Sequence, residues 1–325
     1  MTLYKKRISI FVLTILFCFT SIVPVFANDT TAIEKVSTVE KILYGTEQKG
    51  SLLERVDSLE EDINGSVTEE SLLTRIDRMY YYVKGSNDSS ETSFLTKLNI
   101  IEWSFAEKLG EGPAKSRLET IENTILGRSD SGCLDDRINV LVAMVFDGGE
   151  IDTQTVTLPA DQLIKISLAQ ALESKTSKAG DKVLFRAEDN IFVGDVLVIP
   201  KGAVGHGYLS KVSRARNFGR NAKIEIEYTD ILAIDDTRVS ITVGELAEEA
   251  TKSLATAAGA SVAGMIILGP VGIVGGAFIK GKEYSIPEGA VLYVQIKEAT
   301  AVKGIYLPDK KASNDNKVSG DNSGL

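Results

Sequence analysis

Cysteine and histidine are almost missing from this 325-residue chain, with two of the first and one of the second. Cys18 lies in an N-terminal apolar segment, which leaves Cys133 alone downstream and excludes an intrachain disulfide there. Cys133 stands where helical repeats described below place Ser, so it reads as a small packing or cap-region residue. His206, in Val204-Gly205-His206-Gly207-Tyr208, is the single imidazole. A metal site would need carboxylates for nearly all its ligands, and no cluster of them has a suitable spacing. No recognisable nucleophile motif surrounds any serine that His206 could serve as base. Basic residues are also in deficit, and a net charge of −9 gives no general nucleic-acid footprint. The chain therefore reads as non-enzymatic, with no catalytic, cofactor or metal residue assigned and no nucleic-acid partner; a cell-wall hydrolase is the enzyme alternative.

The first segment is itself informative. Lys5, Lys6 and Arg7 precede an apolar run from Ile8 to Phe19, and Val25-Phe26-Ala27 places small residues at −3 and −1 of a cut before Asn28. This is the pattern of a cleaved signal peptide, residues 1–27. Phe17 stands where a lipoprotein cysteine needs a small neighbour, so Cys18 is not a lipidation site. Removing the segment, which carries three positive charges and no negative one, takes the net charge from −9 to −12. Residues 28–150 hold 24 acids against 13 bases and residues 151–325 hold 21 against 20, so the surplus sits in the first half. A boundary is expected near Asp147-Gly148-Gly149.

Residues 28–150 repeat. Thr31 to Gly45, Ser51 to Gly65 and Ser71 to Gly85 are 15-residue units that open on a hydroxyl residue and close on glycine. A hydroxyl can cap free N–H groups at a helix start, and glycine can turn left-handed past its end. Later copies drift: Ser93 keeps the opening, Ser116 to Gly127 reads as shortened, and Cys133 to Asp147 replaces the opening serine. Leu52, Val56, Leu59 and Ile63 fall in 4-3-4 spacing, a narrow stripe on a helix too short to stand alone. Two outcomes fit: a bundle or array of antiparallel short helices, or a self-associating coiled-coil stalk. Tyr80-Tyr81-Tyr82 and Trp103 are expected in helix packing, part of the cluster being exposed.

From Thr155 the periodicity changes to two. Lys223 to Tyr228 alternates cleanly, and Lys182–Arg186, Val196–Ile199, Thr237–Val243 and Val291–Ile296 are further β-rich runs. Leu158-Pro159-Ala160-Asp161, Ile199-Pro200-Lys201-Gly202 and Ile286-Pro287-Glu288-Gly289 are turns that each deliver the chain into such a run. About seven strands with tight turns predict a small antiparallel barrel or sandwich over residues 151–307. Lys211, Arg214, Arg216, Arg220 and Lys223 form a basic loop between two strands, either solvated or facing anionic headgroups or the acidic half. Residues 308–325 are polar and expected to be disordered.

Leu254 to Ile279 contains no charge and carries six glycines and six alanines. Gly269-Pro270 interrupts it, and each arm of about a dozen residues is too short to cross a bilayer singly. Ala255/Gly259, Ala260/Gly264 and Gly272/Gly276 are small residues four apart, which permits close helix approach. The stretch reads as a Gly/Ala-rich helical hairpin inserted in the β domain, facing a membrane or a sister subunit.

The segment containing Ala179-Gly180-Asp181-Lys182-Val183 and the Ile199-Pro200-Lys201-Gly202 turn resembles the β-barrel domain of outer-membrane core subunits of type IV secretion and conjugation systems. The resemblance covers about Leu158 to Ala301. In that family a late helical insertion crosses the outer membrane, and the apolar stretch lies in a comparable place. The helical repeats are foreign to the family, and the long proline-rich periplasmic linker is lacking. The combined expectation is an α+β protein of the periplasm or cell envelope, outer-membrane associated, with membrane or envelope proteins as partners and homo-oligomeric. A soluble secreted binding module with its hairpin packed internally is the alternative.

Overall fold

A computed structural model of the chain describes residues 30–85, 91–146, 149–214, 222–257, 267–268, 272–273 and 285–307. Six helices come first: α1 Ala32–Tyr44, α2 Leu52–Asn64, α3 Leu72–Lys84, α4 Phe94–Ala106, α5 Ala114–Leu126 and α6 Leu134–Val145. Thr31 and Ser51 close reciprocal capping boxes with Glu34 and Glu54, and Ser71 and Ser93 accept from the N–H of Thr74 and Thr96. Gly45, Gly65 and Gly127 end their helices left-handed, where a side chain would be strained. The fifth repeat corrects the sequence reading. It is not shortened: α5 is a full 13 residues, and its start is hidden because Pro113 holds the cap position and offers no side-chain acceptor.

The helices share one core that includes Val36, Leu43, Val56, Leu59, Ile76, Phe94, Leu98, Leu118, Ile138 and Leu141. The 4-3-4 stripes are thus covered by neighbours in the same chain, giving a bundle and not a stalk. Helices α1 to α3 and α4 to α6 form two similar triplets, the first helix of each touching the third. Contacts of α1 with α5 and of α2 with α6 join the triplets.

The second half is β: β1 Thr153–Leu158, β2 Leu163–Leu168, β3 Leu172–Glu173, β4 Lys182–Ala187, β5 Ile191–Val193, β6 Val196–Ile199, β7 Val204–Ser213, β8 Lys223–Leu232 and β9 Arg238–Thr242. Then come α7 Glu245–Ala257, β10 Ile267–Leu268, β11 Gly272–Ile273, β12 Ser285–Ile286, β13 Val291–Ile296 and β14 Thr300–Tyr306. Strands β8, β7, β4, β2, β13 and β9 pair in that order, and β9 pairs back onto β8, closing an antiparallel six-stranded barrel. Ile164, Ile166, Val183, Phe185, Leu209, Val239, Val294 and Ile296 belong to its buried core. Gly205 is required there: a Cβ at that position would stand 1.9 Å from Phe185 Cε2. The protein is therefore α+β, as its two periodicities predict. The three Pro-containing turns lead into β2, β7 and β13.

Strands β1, β14, β6 and β5 form a second sheet between barrel and bundle. All four residues of β6 are buried. Val196 and Val198 join the barrel core, whereas Leu197 faces Ile100 and Trp103 of α4 with Ile234 and Ile305. A strand covered on both faces reads as an uninterrupted apolar run, which is what Val196–Ile199 is. Polar contacts register the junction. Asn99 Nδ2 donates to Ile234 O at 2.9 Å, Trp103 Nε1 to Asn190 Oδ1 at 2.9 Å, and Leu109 N to Lys201 O at 3.0 Å.

Candidate functional site

The helical repeat carries a charge pattern at a fixed register. The fourth residue of every helix is basic: Lys35, Arg55, Arg75, Lys97, Arg117 and Arg137. The ninth is glutamate in α1, α2, α4 and α5 (Glu40, Glu60, Glu102 and Glu122), but Tyr80 in α3 and Val142 in α6. Each glutamate accepts from the arginine of the next helix, 15 residues on. Arg55 Nε meets Glu40 at 2.9 Å, Arg75 Nε meets Glu60 at 2.8 Å, Arg117 Nε meets Glu102 at 3.0 Å and Arg137 Nε meets Glu122 at 2.9 Å. The same carboxylates accept connector N–H groups eight residues on, from Gln48, Thr68, Gly110 and Asp130.

These rungs are buried, with Glu40 and Glu60 at 0 % exposure. Charges out of water are tolerated only when paired and hydrogen-bonded, and each rung meets that condition. Burial pushes the Glu60 carboxyl up, but the Thr68 N–H and hydroxyl and the Arg75 guanidinium outweigh it and hold it below its ordinary value. Asp57 first, and Glu60 after it, raise Arg75 against the opposing effect of its burial.

The pattern is interrupted once inside the bundle, between α3 and α4. Helix starts are 20 residues apart elsewhere and 22 apart here, and Tyr80 replaces the glutamate. The basic residue after the interruption is Lys97, half-buried, whose Nζ donates to Asn139 Oδ1 at 2.9 Å. A cleft of about 730 Å³ opens at this point, lined by Lys97, Asn139, Arg78, Tyr81, Tyr82 and Ser93, with Glu91 and Glu150 also on its wall.

Residues singled out from sequence fall elsewhere. Lys211 and Arg214 are exposed at the far end of the β7–β8 hairpin, where Lys211 registers with Glu225 and Ser213 with Lys223. Arg216 and Arg220 lie outside the described residues, as does the side chain of Lys223. Of the apolar stretch, Gly259, Ala260, Gly264, Gly269, Pro270 and Gly276 lie outside the described residues, and Ala255 is in the last turn of α7. Beside Gly269-Pro270 the sequence expectation is corrected. Ile267–Leu268 and Gly272–Ile273 are not helix but a short antiparallel ladder, and Leu268 pairs in parallel with Ile226 of β8. Strand β9 pairs only with residues 230–232, so Ile226 has an edge to offer. Among the described residues no helix is long and apolar enough to cross a membrane.

His206 lies in β7 with its Nδ1 2.8 Å from Asp230 Oδ1, while Arg238 Nη1 lies 3.1 and 3.0 Å from the two Asp230 oxygens. Ser240 of β9 registers opposite Asp230, but among the described residues no serine or cysteine is hydrogen-bonded to His206. Cys133 caps α6 without a side-chain cap bond, and burial pushes its thiol up, away from reactivity. Trp103 is buried in the bundle–barrel junction, Tyr82 donates to Asp135, and Tyr81 is 46 % exposed. Among the described residues no group of three His, Cys, Asp or Glu side chains is placed to hold a metal.

No protein-family model matches the chain, nor does any curated protein sequence. Among solved structures, ComB10 of the Com type IV secretion system of Helicobacter pylori is similar, at 21 % identity over 44 % of this chain and 88 % of that one, with a TM-score of 0.26.

Proposed function

We propose that this chain is a non-enzymatic, exported cell-envelope protein, whose helical bundle associates with copies of itself or with envelope partners and whose barrel is the scaffold that presents it. One observation carries the reading. The second residue of α1, α2 and α3 is Ile33, Leu53 and Leu73, which are 60 %, 52 % and 64 % exposed. Single exposed apolar residues are ordinary, but three in one repeat register are a patterned feature with no part in the bundle core. The corresponding residue of α4, Leu95, is 7 % exposed. Replacing Ile33, Leu53 and Leu73 together by Ser removes apolar surface without touching the core. Sedimentation velocity of the exported full chain should then shift from an oligomer to a monomer. A wild-type chain already monomeric at tens of micromolar, and unable to retain envelope proteins, would sink the reading.

A second reading, a soluble secreted module with its apolar stretch packed internally, is favoured by the pairing of Leu268 with Ile226 on the barrel's own β8. Fractionation separates the two. Recovery with membranes that is lost on deleting residues 254–279 supports the envelope reading. Full solubility with the stretch intact supports the second.

A further inference from the structure

The interrupted rung between α3 and α4 retains its cation, Lys97, but has Tyr80 where the repeat elsewhere supplies a carboxylate. Four equivalent junctions place a glutamate against an arginine at helix position four. The remaining cation of this kind, Lys35, begins the first triplet and donates to Asp77 of α3 at 2.7 Å, with its Nζ 5.7 and 5.4 Å from the rings of Tyr80 and Tyr81. Lys97 begins the second triplet, 62 residues later, and reaches the corresponding residue of α6. That residue is Asn139, an amide in place of a carboxylate, and Val142 and Ala143 stand in place of the two tyrosines. Asn139 Nδ2 donates in turn to Asp135 Oδ1 at 3.0 Å, which also accepts from Tyr82 at 2.7 Å. Asp135 is thereby held by neutral donors and not by Lys97.

Five of six equivalent cations meet a carboxylate from this chain. The sixth, among the described residues, meets a neutral amide, at the junction where the helix starts are 22 residues apart and a cleft lies beside it. We propose that this cleft is a binding site for an acidic peptide segment of a partner protein, one carboxylate of which completes the rung on Lys97. Lys97 has three N–H donors and uses one on Asn139, leaving others for an incoming oxygen. Tyr81, partly exposed on the wall, offers an apolar face to the peptide stem. Glu91 and Glu150 restrict entry to a ligand that presents its carboxylate at Lys97 and not along the wall.

The test uses the full chain and a fluorescein-labelled short peptide with a single glutamate among neutral residues, read by anisotropy against its glutamine counterpart. The glutamate peptide should bind saturably and the glutamine peptide about tenfold or more weaker, the size of a lost charge-assisted hydrogen bond. Lys97→Met should cause the same loss. Asn139→Asp should also block binding, because it installs the internal carboxylate that Lys35 already has in Asp77. That variant keeps the cation and the bundle core, so it separates loss of the site from loss of the fold. Lys115→Met, at the α1–α5 contact, should leave binding unchanged. Equal binding of both peptides, or undiminished binding by the Asn139→Asp chain, would overturn the proposal. So would displacement by free glutarate as effectively as by unlabelled peptide, which would make the site one for small acids.

Discussion

Removing a single buried carboxylate tests whether the Arg–Glu rungs hold the bundle as described. Glu60 accepts from Thr68 N at 3.1 Å, Thr68 Oγ1 at 2.8 Å, Arg75 Nε at 2.8 Å and the Arg78 guanidinium. Glu60→Ala leaves the Thr68 N–H without its acceptor and strips Arg75, 4 % exposed, of one of its two carboxylates. Breaking a buried pair by removing one partner costs about 3–5 kcal/mol, most of it from the charge left behind. Because Asp57 still accepts from Arg75 at 2.5 Å, the lower end, about 3 kcal/mol, is expected here. For a domain of this size that lowers Tm by roughly 10–15 °C. Urea unfolding followed by far-UV circular dichroism should show a lower midpoint at unchanged slope. Glu61→Ala, one residue away and exposed, should stay within about 0.5 kcal/mol of the parent. Glu60→Leu combined with Arg75→Leu should cost less than the two changes summed, since the charges that then lose a partner, Asp57 and Arg78, are partly exposed and no buried charge is stranded. A Glu60→Ala loss below about 1 kcal/mol, or a strictly additive double variant, would refute the rung as the element that holds α2 to α3.

Gly205→Ala should destabilise the barrel by about 1–3 kcal/mol or more, because the new methyl would lie 1.9 Å from Phe185 Cε2; urea midpoints measure it, and Phe185→Leu in the same chain should recover part of the loss. Cys133→Ser should raise stability by about 0.5–1 kcal/mol, since it restores at α6 the hydroxyl acceptor that caps four of the other helices; a lower urea midpoint would contradict the cap assignment. The Glu60 carboxyl lies below its ordinary value of 4.5 in the fold, so its contribution is fully present above about pH 4.5 and is lost as pH falls through the folded value. Urea midpoints from pH 7 to pH 2 should therefore fall less steeply for Glu60→Gln than for the parent, and identical slopes would remove Glu60 as a source of acid sensitivity.

The punctuation of the repeat was legible because it is local: Ser51 and Gly65 cap their own helix, whatever surrounds it. The rungs were equally present in the letters, as Glu40/Arg55, Glu60/Arg75, Glu102/Arg117 and Glu122/Arg137, but 15 residues exceeds the three- and four-residue spacing at which charges meet along one helix. Comparing the same position across units, and not the same unit along its length, is the signal that reveals them. Pro113 hid the start of α5 because it holds the cap position without a side-chain acceptor. On the β side, Lys223–Tyr228 was read from alternation and Lys182–Arg186 from its β-rich composition. Thr153–Leu158 and Thr300–Tyr306 escaped because threonine and lysine dilute their apolar faces. Strand number and turns gave a barrel or sandwich, but the choice between them was not legible, since the pairing of Ile231 with Val239 and of Ile296 with Ile241 that closes the barrel is set by tertiary register.

What makes the two halves one molecule is the composition of a single helix. Helix α4, FLTKLNIIEWSFA, lacks a clear polar face, and nine of its thirteen residues are buried. A helix apolar all round must be covered all round. Phe94, Leu95, Leu98 and Ile101 point into the bundle core, while Ile100 and Trp103 point to Leu197, Ile234 and Ile305 of the β half. Asn99 belongs to both sides, donating to Ile234 O and accepting from Arg117, so the α4–α5 rung and the domain junction share one side chain. The connector after α4 extends the coupling. Leu109 N donates to Lys201 O, and the turn at Gly202 approaches Leu109 so closely that a Cβ there would lie 3.1 Å from Leu109 N. The second triplet is thus fixed to the barrel through its first helix. The α3–α4 junction, where the rung is missing and the cleft opens, is where that fixed triplet meets the first one.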